Sequence, residues 1–312
     1  MGLKNLFGKK KEAPVESAPS KLSSSIEESI LGVVGARSIP PMPGAAQKAF
    51  QLSTDPNAEA RDFVAVIESD ESLSARVVKI ANSVYFDRGN HPETIEESVL
   101  VIGINELRCL LNAATMSEIF PSSHPARAQL WINDIATALI SRQLAQRFLP
   151  GKEDLAFLAG LMHDLGKLLL LQRVAPDYTK VLTKIQECGC DFCTAEEALF
   201  PFTHTEVGQL IADRWHFAPD VIAVIRGHHQ KLPAQKMEAP PLPFLVECAD
   251  RIAHVLAFGH PRGFAKFQRA CEEKLDEVWI FLGIEPAESR EMIAQLKKSV
   301  ELELDLYAGK KA

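Results

Sequence analysis

The sequence predicts an all-α protein, and three observations predict it. From Ser24 onward, apolar residues recur at three- and four-residue spacing almost throughout. Alternating apolar–polar runs bounded by Asn-Gly or Asp-Gly turns, which would mark strands and hairpins, are nearly absent. Proline and glycine punctuate the chain where helices should begin or stop, as at Pro43, Gly103 and Pro150-Gly151.

Taken in order, residues 1–23 are rich in Lys, Ser, Pro and Glu and read as a solvated tail. Leu3, Leu6 and Phe7 beside Lys9, Lys10 and Lys11 form a short amphipathic hook for a membrane or partner, but a frayed tail explains the same letters more simply. In "SIPPMPGAAQKAFQL" a Pro-rich lead precedes a helix, with Pro43 suited to the first turn because its missing N–H costs nothing there. "AEARDFVAVIESD" and "ESLSARVVKIANS" follow as two short helices, and Leu73, Val77 and Ile80 share one face of the second. "TIEESVLVIGINELRCLLNAATMSEIF" reads as helix, Gly103 break, helix. "RAQLWINDIATALISRQLAQRFL" is the longest periodic stretch of the middle. Beyond the run "GLMHDLGKLL" and a cysteine-bearing connection, helices are expected near 204–216, 219–229, 241–258 and 286–308. Trp131, Trp215 and Trp279 read as large core or interface fillers.

A chain of 312 residues suits one large domain or two modest ones. Breaks near 121–126 and 231–241 suggest an N-terminal helical lobe over 24–120, a second helical lobe over 121–258 and a C-terminal helical extension over 259–312. The net charge of −7 creates no global field for nucleic acid or anionic lipid, so no nucleic-acid partner is expected. No run of about 18 apolar residues marks a membrane span, and no apolar segment follows the first lysines as a secretory signal would require. Six cysteines in a chain this long do not form a small disulfide scaffold, and a reduced, cytoplasmic setting is expected. "CGCDFC" brings Cys188, Cys190 and Cys193 close together. Zinc sites take four ligands in two close pairs, and with no fourth cysteine nearby the stretch reads as a cysteine-rich turn.

The chemistry lies in polar residues that interrupt apolar helix faces after 127: His163-Asp164, His204, His228-His229 and Asp250. Successive helical residues diverge by about 100°, so a doublet serves one site only if that site lies between the two directions. A carboxylate can bridge two metals while imidazoles fill the outer positions, and such N/O sets suit iron, manganese or zinc. Each residue alone is more simply a hydrogen-bonded core group. Two doublets and two singles in succession point instead to a metal-site layout.

"HDLGK" with the downstream His, His-His and Asp resembles the HD superfamily of metal-dependent phosphohydrolases. The stretch from about 37 to 230 resembles more particularly the HDOD domain, the HD-related output domain of bacterial signalling proteins. The resemblance is carried by "SIPPMPGAAQKAFQLSTDP", "VIESDESLSARVVKIANSVYF", "TIEESVLVIGINELRCLL", "LWINDIATALISRQLA", "AFLAGLMHDLGKLLL" and "HTEVGQLIADRW", in order, over roughly two thirds of the chain. It implies a multi-helix HDOD/HD-like bundle with an N-terminal helical lobe and a regulatory or scaffold role. By that resemblance His163 and Asp164 match the HD dyad, and Lys167 matches the lysine that follows it in active relatives. His204, His228, His229 and Asp250 match later ligand positions.

Two departures stand out. Active HD enzymes carry a His or Glu on the helix before the dyad, where this chain has Asn133 flanked by Asp134. The Gly-Tyr-Pro signature of cyclic-di-nucleotide phosphodiesterases is missing after His228-His229. The expected function is therefore a non-catalytic signalling module that works through a partner protein in trans or a ligand such as a nucleotide. The alternative is a metal-dependent phosphohydrolase acting on a nucleotide or phosphodiester, with Asp164 and Lys167 catalytic. Arg76, Lys79 and Asn82 rim the N-terminal helices as a candidate partner-binding surface, although Asn82-Ser83 reads more simply as a helix stop.

Overall fold

In the computed structural model, the described residues are 21–308, apart from 37–38, 56, 87–88, 90 and 118. The expectations for residues 1–20, the amphipathic hook included, fall outside them. Among the described residues there is no strand, and seventeen helices make up the fold.

Local chemistry accounts for the helix starts of the N-terminal part. α1 (Ser24–Val34) is capped by Ser23, and α2 (Gly44–Thr54) starts after Pro43. α3 (Ala60–Glu68) opens with a Glu59/Asp62 capping box, and α4 (Glu71–Ala81) with an Asp70 cap. α5 (Ile95–Ile102) opens on a Thr94/Glu97 capping box and stops at Gly103, whose φ of 81° favours glycine; α6 (Ile104–Met116) resumes there at 111° to α5. Leu73, Val77 and Ile80 are all buried, as their spacing predicts.

α7 (Ala126–Phe148) is the central helix. It packs on α8 (Glu153–Met162), on α14 (Leu242–Val255) and on α17 (Pro286–Ala308), so its polar residues Asn133, Asp134, Thr137 and Ser141 are buried along with its apolar ones. α9 (Leu165–Arg173) and α12 (His204–Arg214) lie in close contact, with α10 (Ala175–Cys188) and the short α11 (Phe192–Glu197) between them in the chain. That contact depends on Gly166: a Cβ there would lie 1.9 Å from the carbonyl oxygen of His204. α13 (Pro219–Gly227) packs on α12, α14 and α8. α15 (Ala265–Glu273) covers α10 and α14, and α16 (Leu275–Leu282) leads into α17. One continuous apolar core runs through all these layers. Among the described residues, no single helix is long and apolar enough to cross a membrane.

Trp131 and Trp279 are buried, and Trp215 donates from its indole nitrogen to the Pro40 carbonyl at 2.9 Å. On the N-terminal rim, Arg76 donates to the Tyr307 carbonyl at 2.8 Å. Asn82 donates to the carbonyls of Val78 and Pro92, and Lys79 is exposed. Two of the three rim residues thus make bonds within the chain.

Candidate metal centre

The sequence pattern suggests that the doublets lie within helices, but both sit at helix ends. His163 closes α8 and Asp164 precedes α9, so the backbone turn, and not helical divergence, aims the two side chains at one point. His228 closes α13, with His229 just beyond, and His204 is the first residue of α12. Asp250 alone sits within a helix, α14. Helix ends free the side chains from the 100° rule, which is how so many donors meet.

Asp164 is the hub. Its Oδ1 lies 3.2 Å from His204 Nε2 and 3.4 Å from His228 Nε2. Its Oδ2 lies 3.3 Å from His163 Nε2 and bonds the Lys167 ammonium. His163 Nε2 is also 3.5 Å from Asp250 Oδ1, which accepts from Thr137 Oγ1 at 3.3 Å. His229 Nε2 stands 3.1 Å from His204 Nε2, and the His204 and His228 Nε2 atoms are 3.5 Å apart. Asp164, His204, His228 and His229 together bring one donor atom each within 4.8 Å of one another, as do Asp134, His163 and Asp164, and His229, Glu247 and Asp250.

Three of the imidazoles are oriented from behind. His163 Nδ1–H donates to the Gly160 carbonyl at 2.7 Å, and His228 Nδ1–H to the Val224 carbonyl at 3.1 Å. His204 Nδ1–H donates to Glu196 at 2.7 Å, and the same carboxylate oxygen accepts the His204 backbone N–H. Bonds of this kind fix the tautomer and leave Nε2 as a lone-pair donor. The Nε2 atoms of His204 and His228 then face Asp164 Oδ1, with His229 Nε2 beside His204, and so close a grouping calls for a cation or proton among them. The donor set N₃O suits zinc, iron or manganese.

Further atoms await a partner. Both oxygens of Asp134 are buried without a hydrogen bond, and Asp164 Oδ1 and His163 Nε2 have only the ion-pair contacts given above. Buried polar atoms are nearly always satisfied, so these residues fit a metal. Burial pushes the Asp134 carboxyl up to about 8, against the pull of His163. Burial opposes ionisation at Asp164 too, but His163, Lys167 and His204 outweigh it and hold that carboxyl well below its ordinary range. Burial lowers His228 to about 4. At His163 the Asp164 and Asp250 carboxylates overcome burial and hold the imidazole well above its usual value.

The structure separates the two neighbours that sequence left paired. Asn133 turns its amide toward His254 Nδ1 and the Phe258 carbonyl, both at 3.4 Å, while Asp134 faces His163 and Asp164. Three further residues escape the sequence reading. Glu196 orients His204 and accepts the Tyr178 hydroxyl at 3.0 Å, yet one acid among two in "TAEEALF" gives no periodic sign. Glu247, raised by burial to about 8 despite Arg251, borders the centre. His254 Nε2 is 3.3 Å from Asp250 Oδ1, and its four-residue offset from Asp250 was a signal available in "ADRIAH".

Beside the centre opens a cavity of about 350 Å³. His229, Asp250 and His254 line it together with Phe192, Cys193 and Phe267 of α15. The C-terminal extension therefore walls the site. Cys193, Cys109, Cys248 and Cys271 are free thiols, whereas Cys188 and Cys190 are paired.

The fold and the donor set together define an all-helical protein built around a buried histidine–aspartate centre. The family model of the HDOD domain matches residues 39–231, more than half of the chain, and the chain belongs to that family. It is similar to an uncharacterized protein of Treponema pallidum (strain Nichols), with 28% identity over 232 residues that cover 73% of this chain and 43% of that protein. The chain thus spans less than half the length of that relative. Among solved structures, an HDOD domain protein of Geobacter sulfurreducens superposes with a TM-score of 0.69 at 22% identity, covering 90% of this chain and 99% of that one. A candidate signal transduction protein of Marinobacter aquaeolei VT8 superposes with a TM-score of 0.68 at 23% identity, covering 89% of this chain and 61% of that one. At these identities the structural likeness establishes the fold.

Proposed function

We propose that this chain is a regulatory HDOD module of bacterial signalling, which holds one divalent ion and acts by binding and not by turnover. The ion's ligands are Asp164 Oδ1, His204, His228 and His229. The observation that carries this reading is Asn133: where active relatives carry a His or Glu ligand this chain has a neutral amide, and it turns toward His254 Nδ1 and the Phe258 carbonyl. Two-metal hydrolysis places ions about 3.5–4 Å apart, clamping the attacking and leaving oxygens. Without a charged or imidazole ligand at position 133, one of the two ions loses a strong donor, while the Lys167 ammonium already places one positive charge on Asp164 Oδ2. Its partner is a signalling protein in trans, in the cytoplasm, and the adjoining cavity offers room for a small ligand such as a nucleotide.

The second reading is a metal-dependent phosphohydrolase of nucleotides or phosphodiesters. The unpartnered Asp134 oxygens, grouped with His163 and Asp164, favour it because they would complete a second ion's ligand set. An ion held there supplies Lewis-acid charge to a phosphoryl oxygen. The two readings separate when the purified chain is assayed with cyclic and linear nucleotides under iron, manganese and zinc, alongside a pull-down with wild type and Asp164→Ala. Binding without turnover, with the partner retained by the variant, supports the regulatory module. Metal-dependent turnover lost in Asp164→Ala overturns it.

A further inference from the structure

A pair of cysteines flanks Gly189, a residue that lines the cavity, just ahead of α11. Cys188 ends α10, Cys190 lies two residues on, and their sulfurs are joined in a disulfide. Cys188 is exposed and Cys190 half-buried, so the bond is open to solvent. Gly189 between them is buried, has a left-handed φ of 69°, and packs so closely on Lys266 that a Cβ would lie 3.0 Å from its carbonyl oxygen. The end of α10 is fastened to the C-terminal extension by Lys266 Nζ donating to the Glu187 carbonyl and by Gln186 Nε2 donating to the Arg262 carbonyl, both at 2.7 Å.

The segment just after the pair reaches the metal centre directly. Asp191 caps α11 by accepting from the Thr194 N–H at 2.8 Å. Phe192 then presents its ring face 3.8 Å from the Lys167 ammonium. Cys193 lines the cavity, and Glu196 holds His204 through both its backbone N–H and its Nδ1–H. One short helix thus touches both the lysine on Asp164 and a ligand imidazole, and the disulfide lies immediately upstream.

We infer that Cys188–Cys190 is a thiol–disulfide exchange site, with a dithiol as its co-reactant, whose state controls how firmly α11 is held against the metal centre. A thiolate of the dithiol attacks the exposed Cys188 sulfur, the S–S bond breaks, and Cys190 leaves as thiolate and takes a proton. The second thiol then displaces Cys188 from the mixed disulfide. Two electrons and two protons pass to the protein, and the dithiol becomes a cyclic disulfide. The closed ring fixes the backbone of Gly189, the residue type with the widest conformational range, and opening returns that freedom at the root of α11. The Cys190 N–H, 3.2 Å from Cys188 Sγ, favours the Cys188 thiolate once the ring is open. The inference gives the proposed metal site an input and rests on that reading only for what the input serves.

The test uses the full chain, air-oxidised or reduced with dithiothreitol, then unfolded and labelled with maleimide. Four thiols should label in the oxidised chain and all six in the reduced one. Hydrogen exchange over residues 191–206 should be at least about fivefold slower in the oxidised form. Cys190→Ser should match the reduced pattern under either condition, while Cys109→Ser should keep the difference. Six labelled thiols after oxidation, or equal exchange in the two states, would overturn the inference. Metal content is measured on the same samples, so a chain that binds no metal yet shows both redox differences rejects the metal reading and upholds the exchange site.

Discussion

The ammonium of Lys167 rests on Asp164 Oδ2 while the other oxygen of that carboxylate faces His204 Nε2 at 3.2 Å. One aspartate is thereby shared between a fixed cation and a cluster of imidazole lone pairs. Replacing Lys167 by Met removes the fixed cation and leaves the Asp164 charge under-compensated. The metal-free variant should lose about 3 kcal/mol of stability, since breaking a buried ion pair strands its partner. Added zinc or manganese should restore the loss, and the ion count per chain should rise above that of wild type. Denaturant titrations with and without metal check both outcomes; an unchanged stability would mean that Lys167 is not balancing Asp164.

Glu196 acts on the centre through His204. Glu196→Gln keeps the shape but weakens the charge-assisted bond to His204 Nδ1. Partners behind a ligand histidine contribute about 10–100-fold in metal affinity, and a loss in that range is expected by competition with a chelator. The variant's melting temperature in the metal-free state reports separately on folding.

Asp134 sets a pH signature. In the folded, metal-free chain its carboxyl is pushed up to about 8 by burial, whereas in the unfolded chain it titrates near 4. Between those values the folded state binds the extra proton, so this group's share of stability falls as pH rises from about 4 to about 8. Asp134→Asn removes that share. In chelator, the variant should gain on wild type steadily over this window and be the more stable at pH 8. A difference between the two that does not vary with pH would rule out a protonated Asp134.

Gly166 allows the contact that sets His204 beside Asp164. A Cβ there would meet the backbone of His204 and Gly208, and neither can yield as a flexible side chain would. Gly166→Ala should cost at least about 3 kcal/mol, at the upper end for overpacking, and should abolish metal binding in whatever fraction still folds. Calorimetry and metal titration of the variant check this.

Much of the centre was legible in the sequence because its ligands come as doublets and as polar breaks in apolar runs: His163-Asp164, His204, His228-His229 and Asp250. The glycine of "HDLGK" was legible only as a letter, because its reason, the carbonyl of His204, lies 38 residues away in sequence. Asn133 and Asp134 could not be told apart, since adjacent positions on α7 differ by about 100° and only packing decides which faces Asp164. Glu196 stayed hidden because α11 has six residues, too few for a periodic pattern, and its neighbour Glu197 is exposed. The wall built by Phe267 depends on α15 folding back over α10 and α14, a long-range contact that no local pattern announces.

The most direct test of the one-ion centre is elemental analysis of freshly purified chain, expressed as metal atoms per polypeptide. Close to one atom of zinc, iron or manganese, lost in His204→Ala, is the predicted result. Close to two atoms, or none, would contradict an aspartate divided between one ion and Lys167.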